Sequence, residues 1–96
     1  IILIFMNNES PFTKSYKITN GNIGSCDVYH MKPNSHEPKH YHECVEIIYV
    51  LKGNCKTHKE GQVYKYKKGE IHEVINDSDN ELVVVCLTID DFKKYI

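Results

Sequence analysis

Ninety-six residues with no internal repeat make one small domain and leave no room for a second catalytic unit. Twelve lysines, no arginine and 13 acidic residues give a formal charge of -1 without a basic block, which speaks against direct nucleic-acid contact by this chain. A hydrophobic fraction of 41% and a charged fraction of 26% exclude both a chain disordered by composition and a membrane-spanning one.

Ile1 to Phe5 is apolar but too short for a signal core or a membrane span, and residues 1–14 read as a tail or an edge strand. Thr19-Asn20-Gly21-Asn22 carries the Asn-Gly signal of a tight turn, with strands expected on either side. Asp27 to Lys32 alternates loosely before a break at Lys32-Pro33-Asn34-Ser35, and His36-Glu37-Pro38 reads as loop. Val45 to Leu51 is apolar and β-branched and stops at Lys52-Gly53-Asn54. Cys55 to His58 and Val63 to Lys67, either side of Lys59-Glu60-Gly61, read as a hairpin. After a turn at Lys68-Gly69-Glu70 come a short strand from His72 to Asn76 and a polar loop, Asp77 to Asn80. Leu82 to Ile89 is the longest apolar run, rich in valine, and reads as a strand buried on both faces. Asp90 and Asp91 followed by Phe92, Tyr95 and Ile96 resemble the start of a C-terminal helix over residues 90–96, as in a piece of a longer chain. The expectation is all-β: about seven or eight short strands closed into a small antiparallel barrel or sandwich over residues 15–89. Closing the sheet would also remove edges that recruit other chains.

The four cysteines, Cys26, Cys44, Cys55 and Cys86, form no Cys-x-x-Cys pair, and with no secretory signal in view they read as free thiols of a cytoplasmic protein. The chemistry lies in the histidines. His40 and His42 stand at i and i+2, a spacing that in an extended strand points both rings to one face. Glu46 shares parity with Ile48 and Val50, so a face running into the core carries a carboxylate, whose burial a cation would relieve. His72 opens another strand and shares its face with Val74. Three imidazoles and one carboxylate suit one divalent transition metal: iron, manganese, nickel, copper or zinc. With such an ion the site keeps a charge of about +1 and would favour an anionic or enolate ligand.

At these residues the sequence resembles the cupin superfamily, a double-stranded β-helix or jelly-roll barrel. Its first motif, G-x5-H-x-H-x3-E-x6-G, is met by His40, His42, Glu46 and Gly53, with Asn34 in place of the opening glycine. Its second, G-x5-P-x-G-x2-H-x3-N, is met by Gly61, Gly69, His72 and Asn76, with Lys67 in place of proline. Asn tolerates positive φ almost as glycine does, whereas loss of the proline leaves a looser bend. The resemblance covers roughly Asp27 to Ile89 and implies His40, His42, Glu46 and His72 as metal ligands. A narrower likeness, carried by Lys39 to His42, Glu46 to Gly53 and Ser78 to Leu87, is to the N-terminal effector-binding domain of AraC-type transcription regulators. On that register a strand and an Asn-Pro turn are absent between Ile71 and His72, and the two registers disagree on Gly61 and Gly69. The helix-turn-helix units of such regulators are absent from this sequence.

Among the other residues, His30, His36 and His58 lie outside the motifs and read as solvated, and Cys44 reads as a turn residue with a minor claim on the metal. Tyr49 should face outward, while Tyr29, Tyr64 and Tyr66 line or cover the cavity. The resemblance thus implies a metal-binding barrel that senses a small molecule, a sugar or an organic acid, as a homodimer, since cupins commonly pair, and without membrane contact. The alternative is a stand-alone metalloenzyme, a dioxygenase, decarboxylase or isomerase/epimerase, for which no clear second acid or base is visible beyond the ligands, although a tyrosine or Cys44 could serve.

Overall fold

A computed structural model describes residues 11–17 and 24–89. The apolar stretch at Ile1 to Phe5, the Asn-Gly turn and the helix expected over residues 90–96 lie outside the described residues. Among the described residues there are seven strands: β1 (Phe12–Lys17), β2 (Gly24–Met31), β3 (Ser35–His40), β4 (Val45–Lys52), β5 (Val63–Tyr66), β6 (His72–Asn76) and β7 (Leu82–Ile89). They form a five-stranded sheet in the order β1-β2-β7-β4-β5 and a two-stranded sheet of β3 and β6. Every pairing is antiparallel. The all-β expectation holds, and among the described residues there is no helix.

Alternation along the strands creates the core. Met31, Ile48, Val50, Val74, Leu82, Val84 and Cys86, drawn from both sheets, are buried together with the loop residue Cys55. Tyr29, Tyr64 and Tyr66 pack against this cluster, and Tyr49 faces outward, both as their positions in the sequence suggest. Strand β7 is not buried on both faces. Leu82, Val84 and Cys86 point inward, but Leu87 is 37% exposed and Val83 and Val85 are only half-buried. Its valine richness reflects β-propensity on a partly open outer face, not a second buried layer.

Two further expectations are corrected. Cys55 to His58 is a turn and not a strand, closed by the Cys55 N–H donating to the His58 carbonyl at 2.9 Å. β5 pairs instead with β4, placing Glu46 opposite Tyr66 and Ile48 opposite Tyr64. The turn prevails because it buries Cys55 and His58 and places the Thr57 hydroxyl to accept the Ile75 N–H at 3.0 Å. Likewise His36-Glu37-Pro38 lies within β3 and not in a loop.

Four described residues have positive φ, Asn34, Gly53, Gly61 and Gly69, and two of them bear on the turns around the site. Asn34 has φ 50°, a left-handed conformation that asparagine tolerates and glycine adopts freely. At Gly53 (φ 106°) a side chain would also meet the Glu81 carbonyl oxygen, 2.8 Å from an ideal Cβ.

Candidate metal centre

His40 ends β3, His72 begins β6, Glu46 is the second residue of β4, and His42 lies in the connection from β3 to β4. The four therefore meet at strand ends. His40 and His72 face each other directly across the β3–β6 ladder. The strand stops before His42, yet the alternation continues, with Tyr41 exposed and His42 buried. A backbone bond joins the two motifs: the Gly69 N–H donates to the His42 carbonyl at 2.8 Å.

The ring nitrogens of His40, His42 and His72 come within 4.8 Å of one another, a cluster that can hold a metal ion. Ring centroids are 4.8 Å apart for His40 and His42, 4.2 Å for His40 and His72, and 5.1 Å for His42 and His72. Glu46 is buried beneath two of them, with Oε2 3.0 Å from His42 Nε2 and Oε1 3.2 Å from His72 Nε2. The cluster is the three histidines alone: Glu46 touches two of them without joining it, and Cys44, half-buried, is outside it.

Outer hydrogen bonds set the tautomers. His40 Nδ1 is 2.8 Å from the Pro38 carbonyl and His72 Nδ1 is 3.0 Å from the Glu70 carbonyl. A carbonyl only accepts, so each Nδ1 carries a proton, and in the neutral ring Nε2 is a bare lone pair. These lone pairs turn inward onto carboxylate oxygens. His72 Nε2 is buried and, despite its 3.2 Å approach to Glu46, too poorly aligned for a hydrogen bond; His42 Nδ1 is buried without a partner. Electron-pair donors packed against one another need a proton or a cation between them, and this donor set fits a divalent transition metal.

The electrostatics agree. Burial disfavours a charged Glu46, yet the His42 and His72 imidazoles outweigh it and hold the carboxyl at about 2. For His72, burial lowers the pKa, but Glu46 and the Glu70 carbonyl prevail and raise it above the ordinary value. Burial, and then the neighbouring His72 and His42, push His40 down against the pull of the Pro38 carbonyl. The Cys86 thiol, beneath Glu46, is driven upward by burial and by the Glu46 charge and stays protonated. None of the four cysteines is in a disulfide.

Three residues complete the surroundings: Glu37, which no sequence motif singles out, Tyr66, expected to line or cover the cavity, and His58. Glu37 is buried, with Oε1 3.0 Å from His40 Nε2, and burial and the Glu46 charge push its pKa up to about 7. Tyr66 stacks flat on His72 with centroids 4.1 Å apart and 11° between planes. Its hydroxyl lies 2.9 Å from His58 Nε2. His58 is not solvated as expected but 1% exposed, which corrects the sequence reading. His30 and His36 do lie nearer solvent, each beside a carboxylate, Glu81 and Glu73.

The bend expected to be loose at Lys67 is pinned another way. The Lys67 N–H, which a proline would lack, donates to Glu70 Oε1 at 3.0 Å, and the Glu70 N–H returns a bond to the Lys67 carbonyl.

The family described as Cupin domain matches residues 27–88, the span that holds both motifs and every donor above. The chain belongs to the cupin family. No curated protein matches it, but solved cupin-fold structures do. A cupin domain from Bordetella pertussis Tohama I is similar at 18% identity and TM-score 0.67, covering 83% of this chain and 94% of that one. The plu4264 protein of Photorhabdus luminescens reaches TM-score 0.72 at 14% identity, covering 99% of this chain and 91% of its own. The DMSP lyase DddQ of Ruegeria pomeroyi DSS-3 gives TM-score 0.70 at 17% identity, covering 94% of this chain and 52% of the lyase. Likenesses this distant establish the cupin fold and no activity.

Proposed function

We propose that this cupin domain holds one divalent transition metal through His40, His42, Glu46 and His72 and uses it to bind a small oxygen-bearing molecule, a sugar or organic acid. The reading rests on one observation: His40 and His72 have their outer nitrogens engaged by carbonyls and their inner nitrogens turned onto buried carboxylates. When bound, the ion would supply Lewis acidity and orient ligand oxygens. The chain's own residues do the rest. Pro38 and Glu70 hold the rings in place, Tyr66 covers one face of His72, and Cys86 and the apolar core keep water from beneath Glu46.

Within this reading, the likeness of Lys39 to His42, Glu46 to Gly53 and Ser78 to Leu87 to AraC-type effector domains supports a sensor role, which would operate as a homodimer in the cytoplasm. No helix among the described residues is long and apolar enough to cross a membrane. The second reading is a metalloenzyme built on the same donors; the solved structures of this fold include a DMSP lyase, a likeness of fold alone.

The test is metal content by plasma mass spectrometry on the purified chain beside His42→Ala. Near one metal per chain, lost in the variant, is expected. Equal and negligible metal in both would overturn the proposal. A reading frame running on into helix-turn-helix sequence would support the sensor, and turnover of a metal-loaded sample on screened substrates would support the enzyme.

A further inference from the structure

Glu37 enters the site by an irregularity. In a regular strand, residues three apart point to opposite faces, so Glu37 and His40 should diverge. The β3–β6 ladder runs regularly from Ser35 opposite Asn76 to Glu37 opposite Val74, then shifts before His40 meets His72. Pro38 sits in that shift, where its lack of an N–H removes one ladder bond. The bulge turns both side chains inward: Glu37 is 7% exposed, while His36 before it and Lys39 beyond Pro38 are exposed.

A carboxylate beside a ligating imidazole is commonly an outer partner that accepts the ring's second N–H. Glu37 does not fill that role, because Pro38 already takes the His40 Nδ1 proton at 2.8 Å. Glu37 lies at the inner nitrogen, Nε2, at 3.0 Å. The separation of Glu46 Oε2 from His42 Nε2 is also 3.0 Å. Adjacent donors on an octahedral ion with bonds of about 2.1 Å stand about 3 Å apart, so each carboxylate has the spacing of a neighbour to one imidazole, although the atoms that already lie mutually within 4.8 Å are those of the three histidines alone.

We infer that Glu37 is a fifth donor to the metal, making the site three imidazoles and two carboxylates. The inference rests on the metal-binding reading above and sharpens its ligand class. Two carboxylates cancel a divalent charge, so the charge of about +1 left by four ligands disappears. Five donors leave one position of six open. The site then takes a neutral, monodentate oxygen, a sugar hydroxyl or carbonyl, and disfavours chelating dianions. The harder oxygen donors in the set also move its preference toward manganese and iron and away from copper.

Cobalt(II) is the probe, added to the full chain, to Glu37→Gln and to Glu37→Asp after chelation and dialysis. Affinity by calorimetry and the visible ligand-field spectrum are read without any substrate. Glu37→Gln is expected to bind cobalt at least tenfold more weakly with an altered spectrum, and Glu37→Asp to fall between. Oxalate, a chelating dianion, is expected to bind the cobalt form of Glu37→Gln at least tenfold more tightly than that of the wild type. Without metal, the urea midpoint of Glu37→Gln is expected to stay level or rise, since a buried carboxylate is removed, and this midpoint also verifies that the variant folds. Unchanged affinity and spectrum in Glu37→Gln would overturn the role of Glu37 and leave the four-ligand reading standing. No cobalt bound by the wild type would overturn both.

Discussion

Four buried histidines occupy two neighbouring regions of the interior, and their surroundings differ. His58 gives Nδ1 to a contact with the Thr57 hydroxyl at 2.6 Å and Nε2 to the Tyr66 hydroxyl at 2.9 Å, with Tyr64 against its ring. Both nitrogens meet neutral partners that can give or take a proton, and burial holds the ring neutral with a pKa lowered to about 4. At His40 and His72 only the outer nitrogens are satisfied in this way, and the inner ones meet Glu37 and Glu46. Burial of a histidine therefore does not identify a ligand. What sets His40 and His72 apart is an inward nitrogen that faces a buried carboxyl group instead of a neutral hydroxyl.

The contrast gives its largest effect on metal addition. At free metal about 1,000-fold above Kd the folded chain should gain about 4 kcal/mol, read as a shift of the urea midpoint. His72→Ala should erase that shift and His58→Gln should keep it; a shift that survives in His72→Ala would place the ion elsewhere. In chelator the order reverses. His58→Ala should cost about 3 kcal/mol, because it opens a cavity and strands the Tyr66 and Thr57 hydroxyls. His40→Ala, which relieves a crowd of inward donors, should stay within about 1 kcal/mol of the wild type. Equal losses in the two variants would make the cluster as structural as His58.

Acid gives the smallest and most specific difference. Below about 6.5 the unfolded chain protonates His58 while the folded chain, with its pKa near 4, does not. Its contribution is therefore full above pH 6.5 and is lost as the pH falls toward 4, amounting to about 2 kcal/mol at pH 5. Urea titrations in chelator at pH 7 and pH 5 should show this loss in the wild type beyond that in His58→Gln. Parallel losses in the two proteins would show that His58 is not held neutral.

Much of this was legible in the sequence because local rules sufficed. Polar breaks and period-two alternation delimit β4, β6 and β7, and the positive φ of Asn34 follows from its position in the first motif. His40, His42, Glu46 and His72 sit at strand ends where simple parity holds. Glu37 was hidden because parity fails across the bulge at Pro38, and no spacing rule announces a bulge beyond the proline itself. His58 was hidden because its partners, Thr57 and Tyr66, are joined by a turn that looks like a strand when only its alternation is read. The outer face of β7 misled for the opposite reason, since valine favours strands whether or not both faces are covered.

The Lys67–Glu70 bond bears on how the His72 ring comes to its place. A proline at position 67 would narrow the conformations of the unfolded chain and so favour the bend before any tertiary contact exists. Here the restraint is a hydrogen bond from the Lys67 N–H to Glu70 that exists only once the bend has closed, and the Glu70 carbonyl that orients His72 arrives with it. The chain has exchanged a restriction on its denatured ensemble for a bond in its native one. The orientation of His72 is thus a property of the completed fold, and the disordered chain holds no advance copy of it.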